Sequence, residues 1–151
     1  MTGVISISAY HDFLRELVLL HRPFDHHLQQ QLAKHGLFRA QWSVLYRLFH
    51  EKTSTIGELA KSQFVEKPTM TKIVNRLFEM EIVERIQSED RREKRIQLTE
   101  HGQLIYSEVR QSIDQFEQKI VENISMEEQK EVIRIMSIVR SNLSNLEKEN
   151  D

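Results

Sequence analysis

Apolar side chains recur at helical spacing along the first third of the chain. From about Ala9 to His35 this pattern predicts a long helix. We expect a short arm over residues 1–8 before it, and a kink at Pro23, which has no N–H group for a helical hydrogen bond. A second helix is predicted over residues 40–51. The apolar positions are Phe13, Leu17, Leu20, Phe24, Leu28 and Leu32 in the first helix, and Trp42, Leu45, Tyr46, Leu48 and Phe49, packing inward, in the second.

The next segment has the pattern of two helices joined by a tight turn. A two-turn helix is expected over residues 56–60, then a turn over residues 62–66 in which Phe64 and Val65 plug the core. The helix that follows carries one continuous apolar stripe, formed by Met70, Ile73, Val74, Leu77 and Phe78. Its opposite face is polar and holds Thr69, Thr71, Lys72, Asn75, Arg76 and Glu79. This arrangement is typical of a helix-turn-helix.

Two stretches after this segment alternate between apolar and polar residues. Residues 82–86 and 94–98 therefore predict two half-buried strands. The polar connection between them carries Asp90, Arg91 and Arg92, which places these side chains at the tip of a hairpin. A hairpin directly after the second helix of a helix-turn-helix forms a wing, so the sequence predicts a mainly α fold with a small β-hairpin wing.

The last third of the chain predicts two helices and a dimer. The first begins near Thr99 and has one side made of Leu104, Ile105, Val109, Ser112, Ile113, Phe116 and Ile120. The second begins at Ser125, where Glu128 completes a capping box. Its apolar positions are spaced as in a coiled-coil seam, namely Val132, Met136, Val139, Leu143 and Leu146. Part of this seam can pack on the first helix, and the rest is expected to meet a second copy of the chain.

Composition narrows the class of protein. The chain has 151 residues, no cysteine and a formal net charge of −2, so one domain is expected and disulfides and thiolate zinc sites are excluded. The apolar runs are too short to span a membrane and no signal peptide is apparent, which predicts a cytoplasmic protein. Basic residues cluster locally at two places: Lys67, Lys72 and Arg76, and then Arg91, Arg92, Lys94 and Arg95. From charge alone these clusters fit either a nucleic-acid surface or a solvated one.

Two motifs resemble the MarR family of winged helix-turn-helix regulators. The run Lys67-Pro68-Thr69-Met70-Thr71-Lys72-Ile73-Val74-Asn75-Arg76-Leu77 is similar to the family's recognition helix, and Asp90-x-Arg92 followed by Leu98-Thr99 is similar to its wing signature. The resemblance implies a homodimer that binds a palindromic operator in double-stranded DNA, mostly as a repressor, and is released by a small aromatic or phenolic effector. It implies a dimerisation helix with its arm over residues 1–36, a DNA-binding lobe over 37–99 and further dimerisation helices over 100–151, within one continuous domain.

The resemblance also assigns roles to residues. The recognition helix would contact DNA through Lys67, Thr69, Thr71, Lys72, Asn75 and Arg76, and the wing through Asp90, Arg91, Arg92 and Lys94. Asn75 and Arg76 suit adenine and guanine edges, Lys67 suits a phosphate, and Arg92 would enter the minor groove. Asp90 is expected to brace an arginine and so stiffen the wing.

Three positions depart from the family pattern. Glu66 replaces the usual Ser or Thr cap of the recognition helix, where its carboxylate can also cap but places a negative charge beside DNA. Glu81 stands where a glycine usually closes that helix, which puts the left-handed cap in doubt. Phe38 replaces the polar cap of the second helix.

Other functions remain open at this point. Histidines at 21, 26, 27 and 35 suggest a metal site only by their number, since they lack a metal-binding spacing, and no metal or cofactor is expected. His11, His35 and Trp42 are candidates for an effector cleft. No catalytic motif is present, so an enzyme is not expected. The alternative to a regulator is a helical adaptor whose basic hairpin binds an acidic protein.

Overall fold

The fold is mainly helical with one small sheet. The computed structural model describes residues 2–87, 89–90 and 92–150, and side chains from Ala9 onward. The chain divides into two compact units, Met1–Phe116 and Glu117–Asp151. Along the chain the elements are α1 (Thr2–Ala33), α2 (Arg39–Glu51), β1 (Thr53–Thr55), α3 (Ile56–Ser62), α4 (Lys67–Glu79), β2 (Val83–Gln87), β3 (Lys94–Leu98), α5 (Glu100–Ile120) and α6 (Met126–Glu149).

Helix α1 is longer than the sequence pattern predicts. It begins at Thr2 and continues through Pro23 to Ala33, so the expectation of an N-terminal arm is wrong. Its C-terminal half buries Leu28 and Leu32 in the core, with Phe24 packed against that core. Its N-terminal half extends the same apolar face but exposes it, at Tyr10, Phe13, Leu14, Leu17 and Leu20.

The core of the first unit lies between α1, α2, α3, α4, the sheet and the first turns of α5. Helix α4 buries Met70, Val74 and Leu77 completely, while Ile73 and Phe78 pack at the edge of the core, as its apolar stripe predicts. Helix α2 contributes a buried face formed by Trp42, Val44, Leu45 and Leu48. Tyr46 and Phe49 were expected to pack inward but are exposed, because they lie toward the flank of α2 rather than on its core face.

The sheet has one more strand than the sequence pattern indicates. Its order is β1-β3-β2 with both pairs antiparallel. The hairpin of β2 and β3 pairs Val83 with Leu98 and Gln87 with Lys94, which confirms the predicted wing. Strand β1 pairs Thr53 with Gln97 and Thr55 with Arg95 on the other side of β3.

The turn between α3 and α4 differs from expectation at Phe64. This residue has a φ of 53° and its side chain is 84% exposed, so it does not plug the core; only Val65 packs there. The N–H of Val65 donates to the Ala60 carbonyl and that of Phe64 to the Lys61 carbonyl. These bonds close α3 with a left-handed cap of the kind that glycine usually forms.

The end of α4 is closed in the same way without a glycine. Glu81 has a φ of 59°, its N–H donates to the Phe78 carbonyl, and the Ile82 N–H donates to the Leu77 carbonyl. The left-handed cap that the glutamate put in doubt is therefore present. The side chain of Thr99 donates to the Glu81 carbonyl at 2.6 Å, which ties this cap to the end of β3.

The start of α5 packs directly on that cap. The Gly102 N–H donates to the Thr99 hydroxyl oxygen at 2.9 Å, and a Cβ atom at position 102 would lie 2.0 Å from the Ile82 carbonyl oxygen. Farther along α5, Tyr106, Val109 and Ile113 are buried, whereas Leu104 is exposed, contrary to its predicted position on the packing side.

Helix α6, in the second unit, begins as the sequence predicts. Ser125 and Glu128 exchange hydrogen bonds, with the Glu128 N–H donating to the Ser125 hydroxyl and the Ser125 N–H donating to the Glu128 carboxylate. No described residue of α6 is buried.

Candidate nucleic-acid interface

The outer face of α4 presents the polar residues that the sequence assigns to DNA. Lys67, Thr69, Lys72, Asn75 and Arg76 are exposed, and Thr71 is half-buried. The buried stripe on the other side of the helix fixes its rotation, so these side chains point away from the core. The helix therefore offers hydrogen-bond donors and acceptors of the kind that read base edges in a major groove.

Two of these side chains already have partners within α4. The Thr71 hydroxyl donates to the Lys67 carbonyl at 2.9 Å, which leaves its oxygen free to accept. Arg76 pairs with Glu79 at 2.8 Å, with side chains 63% and 65% exposed. Exposed pairs of this kind contribute at most about 1 kcal/mol, so Arg76 can exchange Glu79 for DNA at small cost.

Two of the departures from the family pattern, Glu66 and Phe38, lie at the starts of helices α4 and α2. Glu66 is the N-cap of α4, but its side chain makes no capping hydrogen bond, so its carboxylate does not replace the usual hydroxyl. Phe38 is the N-cap of α2, and its backbone N–H donates to the Gln41 side chain at 2.9 Å. The phenyl ring has no acceptor, and the glutamine supplies the side-chain part of that cap.

The wing tip is a tight polar turn. One carboxylate oxygen of Asp90 accepts from the backbone N–H of Arg92 at 3.0 Å, and the Glu93 N–H donates to the Asp90 carbonyl. Asp90, Arg92 and Lys94 are exposed, while Arg91, also predicted to contact DNA, lies outside the described residues. The aspartate thus orders the backbone that carries Arg92, and its expected role in bracing an arginine side chain stays a prediction.

The base of the wing is held by Arg95. Its Nε donates to the Thr53 hydroxyl at 2.9 Å, and its terminal nitrogens lie 3.3 and 3.4 Å from the two carboxylate oxygens of Glu58. Glu58 also accepts from the Ser54 hydroxyl and the Thr55 N–H. Partial burial acts to raise the pKa of Glu58, but the Thr55, Ser54 and Arg95 donors together hold that pKa below its usual value.

The three candidates for an effector cleft are not brought together within the chain. His11 is exposed and precedes the C-terminal end of α1 by about 33 Å of helix, whereas His35 follows that end. Trp42 is buried and stacks on Tyr106, with ring centroids 5.1 Å apart.

Trp42 belongs to an aromatic cluster between α2 and α5. Phe49 also stacks on Tyr106, with ring centroids 4.0 Å apart, and the Tyr106 hydroxyl lies 3.4 Å from His50 Nε2. A cavity of about 110 Å³ lies beside the cluster, small by comparison with ligand pockets, which start at about 300 Å³. Its lining residues are Leu48, Phe49, Lys52, Gln97, Leu98 and Gln103. That Tyr106 belongs to this cluster was not predicted from the sequence, because the packing side of α5 was assigned mainly from aliphatic residues.

The described part of the chain holds neither a cluster of metal ligands nor a membrane-spanning helix. No three of its His, Asp and Glu side chains come together as a metal ion would require, which leaves the histidine metal site without structural support. None of its helices combines the length and apolar character needed to cross a membrane.

The chain is similar in sequence and in fold to known transcriptional regulators. YwoH of Bacillus subtilis (strain 168), an HTH-type transcriptional regulator, is 37% identical over 97 residues, which cover 61% of this chain and 67% of YwoH. An HTH-type transcriptional regulator of Staphylococcus aureus (strain Mu50) is 28% identical over 129 residues, covering 83% and 88% of the two chains. Staphylococcus aureus MarR, solved in complex with salicylate and kanamycin, superposes with a TM-score of 0.82 at 26% identity, covering 91% of this chain and 94% of the other.

The family comparison agrees with the geometry. The model of the MarR family matches residues 37–94, which hold α2, β1, α3, α4, β2 and the first residue of β3. The fold, with its exposed polar face on α4 and its three-stranded sheet, is the winged helix of those relatives. The chain belongs to the MarR family and is a transcriptional regulator with a DNA-binding fold.

Proposed function

We propose that the protein is a sequence-specific, cytoplasmic DNA-binding repressor that binds a palindromic operator as a homodimer and is released by a small effector. The single observation that carries the proposal is the division of α4 into a fully buried apolar stripe and an outward polar face. An exposed helix face with lysine, asparagine and arginine side chains suits the pattern of donors and acceptors in the major groove.

The exposed residues of α4 are proposed to contact either base edges or the phosphate backbone, according to their position and side-chain chemistry. Asn75 lies in the middle of α4 and Arg76 in its last turn. The asparagine amide suits an adenine edge, and the arginine guanidinium suits a guanine edge. Lys67 and Thr69 lie in the first turn, and Lys67 suits a phosphate. Thr71 and Lys72 complete the face between them.

The wing adds a second contact through Arg92. Its backbone is ordered by Asp90 and its side chain is exposed, which suits insertion into a narrow minor groove with concentrated negative potential. We expect Arg92→Ala to weaken operator binding by about 1–3 kcal/mol and to lower the salt slope by about 0.9 if a phosphate contact is also lost. Fluorescence anisotropy at several salt concentrations measures both quantities.

A matched control separates this role from the loss of one positive charge. Lys34 is an exposed lysine just after α1 that bonds Gln31, so Lys34→Ala removes the same charge away from the wing. Equal affinities and salt slopes for wild type and Arg92→Ala would contradict the wing contact.

Dimerisation is supported by apolar residues that no described part of the chain buries. In α6 the predicted seam of Val132, Met136, Leu143 and Leu146 is exposed, with Val139 half-exposed. The N-terminal half of α1 exposes a second apolar face. A two-fold dimer presents two α4 helices, and half-sites are then expected about one turn of DNA apart, roughly 10 bp. Sedimentation that shows a monomer at micromolar concentration would contradict this.

The effector is proposed to be a small aromatic acid. The cavity beside Phe49 combines aromatic and aliphatic walls with Lys52 and two glutamine amides, and the Lys52 ammonium lies 5.8 Å from the Phe49 ring centroid. The related MarR structure contains salicylate, a ring that bears a carboxylate, and the Lys52 ammonium suits such a charge. The cavity of about 110 Å³ must widen to admit that ring. Release follows if the effector favours a dimer whose α4 helices are spaced wrongly for DNA.

Selection of bound sequences from a random pool of double-stranded DNA tests the proposal as a whole. A regulator enriches one palindromic motif, which a gel shift then confirms at nanomolar protein concentration against random DNA as control. Equal retention of all sequences would overturn the proposal and favour an adaptor whose basic hairpin binds an acidic protein.

A further inference from the structure

Arg95 occupies the point at which the wing leaves the sheet. On one side of β3 its partner is Thr55 of β1, and on the other side its partner is Ile86 of β2. The next residue toward the tip, Lys94, pairs with Gln87 of β2, and β1 has already ended. The sheet therefore has three strands up to Arg95 and two beyond it, and a two-stranded ribbon by itself is only marginally stable.

The Arg95 side chain is committed to the protein. Its Nε and one terminal nitrogen donate to the hydroxyl and the carbonyl of Thr53, and both terminal nitrogens face the carboxylate of Glu58. A second acidic partner, Glu93, lies 3.6 Å away, and the arginine side chain is only 24% exposed. A planar fork with several donors suits this set of acceptors, whereas a lysine ammonium does not.

Glu58 connects this arginine to the helix-turn-helix. Its carboxylate accepts from the Thr55 N–H, and its own N–H donates to the Thr55 hydroxyl, so Glu58 closes the capping box that starts α3. Helix α3 is followed directly by the turn into α4. The Glu58 carboxylate thus joins the start of α3 to Arg95 at the base of the wing.

We propose that Arg95 and Glu58 are positioning residues that set the direction of the wing relative to α4, so that Arg92 and the recognition helix reach one DNA duplex together. The inference rests on the proposed function. It separates Arg95 from the rest of the basic run at residues 91–95, because Arg95 acts through protein contacts and Arg92 acts on DNA.

Glu58→Gln is the discriminating variant. Glutamine still closes a capping box, but it removes the charged acceptor that holds the guanidinium. The substitution makes the lobe more positive, so a purely electrostatic view predicts tighter DNA binding. Loss of wing positioning predicts weaker binding instead, by roughly tenfold, which lies within the range that a lost groove contact costs.

The experiment is a pair of double-mutant cycles on the operator selected by the wild-type protein, with affinities from fluorescence anisotropy. Glu58→Gln is combined with Arg92→Ala in the wing and, separately, with Arg76→Ala in α4. If Glu58 acts through the wing, its roughly tenfold effect falls below about twofold when Arg92 is absent and stays near tenfold when Arg76 is absent. Arg95→Lys, which keeps the charge but not the fork, is expected to behave as Glu58→Gln does.

Three outcomes would overturn the inference. Glu58→Gln binding as tightly as wild type, or more tightly, would show that the ion pair does not direct the wing. An equal loss in both backgrounds would show a general destabilisation of the lobe, which thermal unfolding of each variant measures independently. A wild-type protein that selects no sequence would overturn the proposed function itself, and the inference with it.

Discussion

Helices α4 and α6 carry similar apolar periodicities but have opposite surroundings. Met70, Val74 and Leu77 of α4 are completely buried, whereas Val132, Met136 and Leu143 of α6 are 48–59% exposed. The starts of the two helices differ as well. Helix α6 has a complete capping box at Ser125, while α4 has no side-chain cap.

This difference shows that periodicity alone does not reveal what an apolar stripe packs against. Helix α4 has weak local signals at its start and is held by the core beneath it. Helix α6 has strong local signals, but its stripe gains no burial from the described chain. We expect the first kind of stripe to determine the stability of the fold and the second to determine self-association.

Leucine truncation in the two helices tests this distinction most strongly. We expect Leu77→Ala to lower the free energy of unfolding by about 3–4 kcal/mol, because it opens a cavity in a packed core. Leu143→Ala opens no cavity within the chain, so its effect is expected to depend on protein concentration. Urea unfolding at low and high protein concentration measures both. A Leu143→Ala loss equal to that of Leu77→Ala at every concentration would contradict the comparison.

Substitution of glycine tests how tightly the first unit is packed. Gly102→Ala places a Cβ 2.0 Å from the Ile82 carbonyl oxygen, and because that oxygen belongs to the backbone we expect a loss of about 2–3 kcal/mol. Gly57→Ala is the control, since its Cβ meets only the Thr55 hydroxyl at 3.8 Å. An alanine there is expected to be neutral or to stabilise α3 by about 0.5 kcal/mol. Similar melting temperatures for the two variants would show that α5 shifts freely.

The smallest expected effect is a pH dependence at Glu58. Its pKa is lowered in the folded state, so its contribution to stability is present above the unfolded value of about 4.3 and is lost as pH falls through the folded value. The melting-temperature advantage of wild type over Glu58→Gln should therefore be lost progressively as the pH falls from about 5 through the lowered folded pKa of Glu58. An advantage that is constant over this range would show that the carboxylate charge does not stabilise the lobe.

The features that were predictable from sequence are those with a repeated local pattern. The stripe of α4 and the alternation of β2 and β3 each extend over several residues, and the structure confirms them. Strand β1 has no such alternation, and it exists because β3 offers a free edge for Thr53–Thr55. The prediction that Phe64 plugs the core was wrong because residue type indicates burial only on average. A left-handed turn at this residue directs its ring outward.

The candidate site shows the same limit of local patterns. The exposed residues of α4 follow from its stripe, because burying one face fixes the other. The basic run at residues 91–95 gives no sign that Arg95 is committed to Glu58, since that partner lies 37 positions earlier in the chain. Contacts of this range depend on how β1 and β3 pair.

The outward ring of Phe64 offers a practical route to observing DNA binding. Its side chain is largely free of core contacts, and it lies close in sequence to the first residue of α4. The chain has no cysteine, so Phe64→Cys would create a unique thiol for attaching a fluorophore beside the recognition helix. Emission from that dye would follow the approach of a duplex directly, without a label on the DNA.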